Sequence, residues 1–324
     1  MDPFEPARAP SLLANPSAEP EAFVVVVGPD RLHFLDWGGP GGAAGAEGAA
    51  EMPAGRPGVL LVHGLASTAW SWTPVARRLR AVAHVVAMDL RGHGLSDSPT
   101  EGYDPDGLAE DVEAVAEGSG LLGSGSDGSP TALILAGHGF GGVVAAWAAA
   151  RLGDRCAGLV LVDGGWTDLA AETGMEPDEW LRAIEEPPEV LRSMAAFLAD
   201  RAGFDPASWD PDAERAARAS VVEVPAGHLV PAIRPHALAR SVEALFAYRP
   251  ATVLPSIEAP IVALVSSDPE GREALPAAQA ALVAAGRSPA RVVDLGPAGH
   301  NLLRYRPDAV SGAIAELAAA TMKR

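Results

Sequence analysis

From Val59 onward the chain alternates short apolar runs with segments of helical periodicity, and this alternation restricts the fold more than any other feature. The strand-like runs lie at 59–62, 84–88, 132–136 and 159–162, with helical patterns at 74–81, 107–117 and 140–152 between them. Runs this short, apolar on both faces, need cover on both sides, which is the situation of a parallel sheet flanked by helices. The pattern returns near the C-terminus, with strands at 261–265 and 291–295 and helices near 273–285 and 307–320. Two β-rich runs precede it, 23–27 and 32–37, and Gly28-Pro29-Asp30 between them reads as a hairpin turn.

Four segments follow from this reading. Residues 1–21 carry five prolines and little periodicity, which predicts a mobile leader. Residues 22–164 form the first part of an α/β core, in which the stretches 38–58 and 118–128, rich in Gly with Ala, Pro or Ser, are expected to be flexible surface connections. Residues 165–248 are helix-like, proline-punctuated and rich in large side chains, as expected of a helical lid over the strand ends. Residues 249–324 complete the core.

Composition narrows the function classes. A 48% hydrophobic content supports a buried core, and a formal charge of −18 from 42 acidic and 24 basic residues repels nucleic acid and anionic membranes. The first residues do not resemble a secretory signal, and no apolar run approaches the ~20 residues of a bilayer span. The expectation is a cytoplasmic protein with a small-molecule partner and no nucleic acid or membrane contact; its oligomeric state stays open. The single cysteine, Cys156, has no intrachain partner for a disulfide and reads as a small buried hydrophobe. No metal is expected, since no His/Cys/Asp/Glu group has ligand spacing. No cofactor is expected either, because neither a dinucleotide fingerprint nor a P-loop is present.

The chemistry-bearing residues fall into four motifs. His63-Gly64-Leu65-Ala66-Ser67 follows one buried strand and Asp89-Leu90-Arg91-Gly92-His93-Gly94-Leu95-Ser96 the next. Gly137-His138-Gly139-Phe140-Gly141 joins a strand to a helix, and Gly299-His300-Asn301 lies before the last helix. In this order and context they make residues 22–321 resemble the α/β-hydrolase superfamily.

The resemblance implies a mostly parallel eight-stranded sheet flanked by helices, with a helical lid. It also implies a Gly-x-Ser-x-Gly turn that exposes a nucleophilic serine, and here that position is Gly139. The chain order of nucleophile, acid and histidine makes His300 the catalytic histidine and Asp268 the favoured acid, with Asp163 as the alternative. The backbone N–H groups of Leu65 and Phe140 are the expected oxyanion donors. His138 is expected to pack beneath the turn and His93 to shape the pocket floor. In the lid, Trp166, Trp180 and His228 are the candidates for substrate contact, and the lid aromatics suggest a largely apolar ligand.

Three functions remain open for a site without the serine hydroxyl. His300 can activate water directly against a small ester, lactone or related bond. The His/Asp pair can instead abstract a proton from substrate, as in lyase or cofactor-independent oxygenase chemistry. The pocket can also bind a small molecule without turnover. Of these, the hydrolase is preferred.

Overall fold

The computed structural model describes residues 18–40, 58–123, 133–267, 274–285 and 290–321. Most of the expected leader, most of the 38–58 connection, residues 124–128 of the second connection, and Asp268 lie outside the described residues.

Two antiparallel strands, β1 (Glu21–Val27) and β2 (Asp30–Gly38), lead into the parallel strands β3 (Gly58–Val62), β4 (Val85–Met88), β5 (Leu133–His138) and β6 (Cys156–Val162). Helices α1 (Thr73–Leu79), α2 (Pro105–Gly118) and α3 (Phe140–Leu152) connect them. After β6 comes an insertion of α4 (Leu169–Thr173), α5 (Pro177–Ala183), α6 (Met194–Gly203) and α7 (Pro211–Ala219). It continues through a hairpin of β7 (Val221–Glu223) and β8 (Leu229–Pro231), then α8 (Pro235–Ala247) and α9 (Pro250–Val253). The chain returns to the sheet with β9 (Ile261–Val265), α10 (Ala274–Ala284), β10 (Ala290–Asp294), α11 (Leu302–Tyr305) and α12 (Pro307–Thr321). The eight-stranded sheet runs β1-β2-β4-β3-β5-β6-β9-β10 and is parallel from β4 onward.

Strand alternation explains why these runs are apolar throughout. Leu60, Val62, Val86, Met88, Leu159 and Leu161 enter the core under α2 and α3. Their neighbours Val59, Leu61, Val85, Ala87, Val160 and Val162 enter the opposite core with Trp72, Leu79 and Ile314. Side chains of period two thus fill two separate layers, and neither face has room for a polar residue. Helix starts follow local chemistry: Asp104, Ser193 and Asp210 each cap the helix after them by accepting backbone amides.

Three sequence expectations change. The described end of the leader is anchored, because Arg77 donates to the Ala18 carbonyl at 2.9 Å and pairs with Glu19, which also meets Arg215. Leu121 and Leu122, inside the stretch expected to be flexible, are buried in the core. The insertion is not purely helical: Val221, Val222 and Val224 are β-branched and precede a Val224–Gly227 turn, so this piece pairs as the β7–β8 hairpin.

The loop after β4 is held by a buried bidentate pair, Arg91 Nε and Nη2 to the Asp111 carboxylate at 2.5 and 2.6 Å. Arg91→Met leaves Asp111 buried without its counter-charge, and we expect a loss of about 3–5 kcal/mol in urea unfolding. A loss well under ~1 kcal/mol would show that the pair does not anchor this loop.

Candidate active site

The register places the ends of β3, β5, β6 and β9 side by side, since Val62 faces Gly137, His138 faces Val162 and Val162 faces Leu264. The residues just beyond these ends are His63, Gly139, Asp163 and Ser266, and the loop after β10 brings His300 to the same edge. A parallel sheet gathers loops at the carboxyl ends of its strands, which is where ligands bind in open α/β folds.

His300 Nδ1 meets Asp163 Oδ2 at 2.8 Å, and Asp163 Oδ1 accepts the Ser266 amide at 3.1 Å. The pairing puts the ring proton on Nδ1 and leaves Nε2 with a free lone pair. The Asp163 side chain is 15% exposed and that of His300 65%, so the carboxylate is sheltered while the imidazole stays open to water. The carboxylate described at His300 Nδ1 is therefore Asp163, the alternative acid of the sequence reading, while the preferred Asp268 lies outside the described residues. Asp163 reaches the His300 ring from φ +46°, a left-handed backbone that is strained for aspartate. Sequence reading missed what secures this loop. Buried Tyr248 donates from its hydroxyl to the Gly165 carbonyl at 2.7 Å.

Gly139 sits between β5 and α3 at φ +53°, ψ −118°. A Cβ at this position would lie 3.1 Å from His300 Nε2 and 3.3 Å from its Cε1. The free nitrogen of the His300–Asp163 pair therefore points at the place where a side chain would begin. The flanking glycines are required by close approach, since a Cβ on Gly137 would come within 2.1 Å of the Gly141 carbonyl oxygen.

The start of α3 and the loop after β3 border this space. Phe140 is the first residue of α3, so its N–H has no acceptor within the helix and carries the positive end of the helix dipole. The Gly64 carbonyl accepts His63 Nδ1–H at 2.7 Å and the Ser67 amide at 3.2 Å. In a trans peptide the Leu65 N–H points the opposite way from that carbonyl. The Gly64 Cα is 4.0 Å from the Cβ position of Gly139. His63 also accepts the Leu90 amide on Nε2 at 3.1 Å, which ties this loop to the loop after β4.

His138 lies beneath the turn, as expected, with Nε2 donating to the His300 carbonyl at 2.9 Å and its ring centroid 4.6 Å from that of His300. Burial, with the neighbouring His300 adding to it, lowers its pKa to about 3, and burial lowers that of His93 to about 3. The unfolded chain takes up protons at these rings below 6.5, while the folded chain resists until about 3. Their contribution to stability is therefore complete above 6.5 and is lost on acidification through that window. We expect urea midpoints to fall from about pH 6 to pH 4, each ring contributing roughly 1 kcal/mol per pH unit, with a shallower slope in His138→Asn. An unchanged slope in that variant would show that the folded state does not hold His138 neutral.

The lid candidates lie elsewhere. Trp166 is buried in the core, Trp180 packs edge-on against Phe246 with ring centroids 5.9 Å apart, and His228 is exposed on the loop joining β7 to β8. None of the three lines the cavity of about 360 Å³ that opens beside Leu65, Ala66 and Asn301. That cavity lies between the insertion and the core, and Arg78, Arg201 and Arg304 are in its wall. These arginines are far apart in sequence and share the wall with Glu186, Asp210 and Asp212, so the fold gathers charges of both signs that no local signal announces. Among the described residues no group of three or more His, Cys, Asp or Glu could hold a metal, and no helix is long and apolar enough to cross a membrane.

This sheet order, with its elbow, histidine and carboxylate at the strand ends, defines a family. Residues 59–313 match the alpha/beta hydrolase family, and the chain belongs to it. Among curated proteins it is similar to epoxide hydrolase 4 of Mus musculus, 31% identical over 142 residues, which are 43% of this chain and 33% of that protein. It is also similar to 2-(acetamidomethylene)succinate hydrolase of Mesorhizobium japonicum, 30% identical over 146 residues, covering 45% of this chain and 49% of the relative. N-formylmaleamate deformylase of Pseudomonas putida is 34% identical over 134 residues, 41% of each chain. The matched region thus spans only a third to a half of these relatives. A solved structure of E-2-(acetamidomethylene)succinate hydrolase aligns with TM-score 0.67 at 21% identity, over 91% of this chain and 97% of that one. Identity this low speaks to the shared fold.

Proposed function

We propose that this chain is a hydrolase of small esters, lactones or related acyl compounds in which His300 activates the attacking water directly. The observation that carries this reading is the orientation of His300: its Nδ1 is held by Asp163 at 2.8 Å and its Nε2 faces the side-chain space of Gly139. Water in that space gives its proton to Nε2 as its oxygen attacks the substrate carbonyl carbon. The negative charge that develops on the carbonyl oxygen is met by the Leu65 and Phe140 amides, which serve as the oxyanion hole. Collapse of the tetrahedral species expels the alkoxide, which takes the proton from His300. No acyl-enzyme forms, because residue 139 has no oxygen to carry the acyl group.

Two further points support hydrolysis. Asp163 keeps a strained backbone, a cost on the order of 1–3 kcal/mol that persists where a site requires a fixed geometry. His300 is open to solvent, which suits attack by water better than proton abstraction in a site that must exclude it. The relatives named as hydrolases and a deformylase agree with bond cleavage at this site. The insertion between β6 and β9 serves as the lid and forms one wall of the substrate cavity.

The test is an ester and lactone panel run on this chain, His300→Ala and Gly139→Ser. Turnover by the parent that disappears in His300→Ala is the expected result. Activity found only in Gly139→Ser would overturn the proposal in favour of a pocket that binds without turnover.

A further inference from the structure

The cavity beside Leu65 and Ala66 has a charge pattern that bears on what the site accepts. Arg78 in its wall pairs with Asp308 at 2.5 Å, and Arg201 pairs with Glu186 and Asp200. Of the lining carboxylates, Glu186 is taken by Arg201, Asp212 by Arg77, and Asp210 by the Ala213 amide at the start of α7.

Arg304 differs from these. Its Nε donates to Ser208 Oγ at 2.8 Å and toward the Ser208 carbonyl at 3.4 Å, Nη1 to the Arg201 carbonyl at 2.9 Å, and Nη2 to the Asp205 carbonyl at 2.5 Å. The guanidinium stacks 5.0 Å from the Trp209 ring centroid. All of these acceptors are neutral oxygens, and among the described residues no carboxylate lies within ion-pair distance of Arg304. The Asp205 carboxyl, held below its usual range first by the Ser208 hydroxyl, is nevertheless lowered further by the Arg304 charge. Of the five guanidinium N–H groups, three are used and two remain. This half-buried, rigidly held charge therefore lines a cavity that reaches the proposed oxyanion loop on one side and the neighbour of His300, Asn301, on the other.

We propose that this cavity is the subsite for a carboxylate carried by the substrate, and that Arg304 recognises it. The proposal rests on the hydrolase reading and names its substrate class: small esters or amides that bear a second, ionised carboxyl group. The two remaining N–H groups, one on Nη1 and one on Nη2, belong to a planar fork whose geometry matches a carboxylate. About 360 Å³ suits a tail of on the order of ten heavy atoms. Of the insertion's aromatics Trp209 lines this cavity, while Trp166 and Trp180 pack elsewhere, so the substrate proposed here pairs an apolar contact with a carboxylate.

The probe is succinate, titrated calorimetrically against its uncharged dimethyl ester. Succinate is expected to bind at least about tenfold more tightly, with Arg304→Gln abolishing the difference. Arg304 also braces α6 and the 205–208 turn, so a second pair of variants keeps the test independent of its folding. Ala216 lines the cavity from α7, where Glu and Gln are both good helix formers. Ala216→Glu should weaken succinate binding about tenfold, while Ala216→Gln should leave it near the parent value. Equal affinity for succinate and its diester, or equal effects of the two Ala216 substitutions, would overturn the subsite. Binding is read without turnover, so the two proposals fail separately: succinate binding without ester hydrolysis sinks the hydrolase alone, and hydrolysis without carboxylate preference sinks the subsite alone.

Discussion

His300→Ala is expected to lower kcat/KM for a hydrolysed ester or lactone by about 10²–10⁴-fold. The backbone amides of Leu65 and Phe140 survive the substitution, so residual rate from carbonyl polarisation should remain. Asp163→Asn should cause a comparable loss for a different reason. An amide can present its N–H to Nδ1, which forces the ring proton onto Nε2 and removes the lone pair that faces Gly139. Comparing this variant with Asp268→Asn decides between the two carboxylates that the chain offers, and the larger loss is expected at 163. The reverse order would move the acid to Asp268.

Gly139→Ser carries the second large effect, and it acts on both stability and chemistry. The backbone at φ +53°, ψ −118° suits glycine, and any Cβ would sit 3.1 Å from His300 Nε2. We expect the variant to be less stable by about 1–3 kcal/mol, with His300 displaced by a few tenths of an ångström. In exchange it gains a hydroxyl beside a base that is already oriented. A covalent adduct with a serine-directed fluorophosphonate, and a burst of product from a chromogenic ester, are the expected gains. A Gly139→Ser protein that folds yet stays unreactive would mean that His300 Nε2 does not address this position.

How much of this was legible in the sequence depended on the range of the interactions. The parallel strands were readable because each is apolar on both faces, and 261–265 coincides with β9. The α3 helix was readable because the Gly-rich turn and the Phe140–Leu152 pattern share a boundary. The choice of acid was not readable. Asp163 and Asp268 each follow an apolar run, and the contact of Asp163 with His300 depends on the packing of the 163–165 loop, held by Tyr248, which no local pattern encodes. The pocket wall was also hidden. Its arginines lie at 78, 201 and 304, and no local period joins them. Large side chains in the insertion looked like a ligand lining, yet Trp166 and Trp180 are used in packing, since any aromatic finds its first partner in the core. His228 gave no sequence signal for its exposed hairpin position beyond the Pro225-Ala226-Gly227 turn beside it.

The central claim is hydrolysis by a His300-activated water with no covalent intermediate. Its most direct test is rapid mixing of this chain with a saturating chromogenic ester, followed by intact-mass analysis of the quenched protein. Linear product release from the first turnover, with no burst and no acyl adduct, and loss of that release in His300→Ala are the expected results. A burst stoichiometric with protein and accompanied by an acyl adduct, or release that is indifferent to His300, would contradict it.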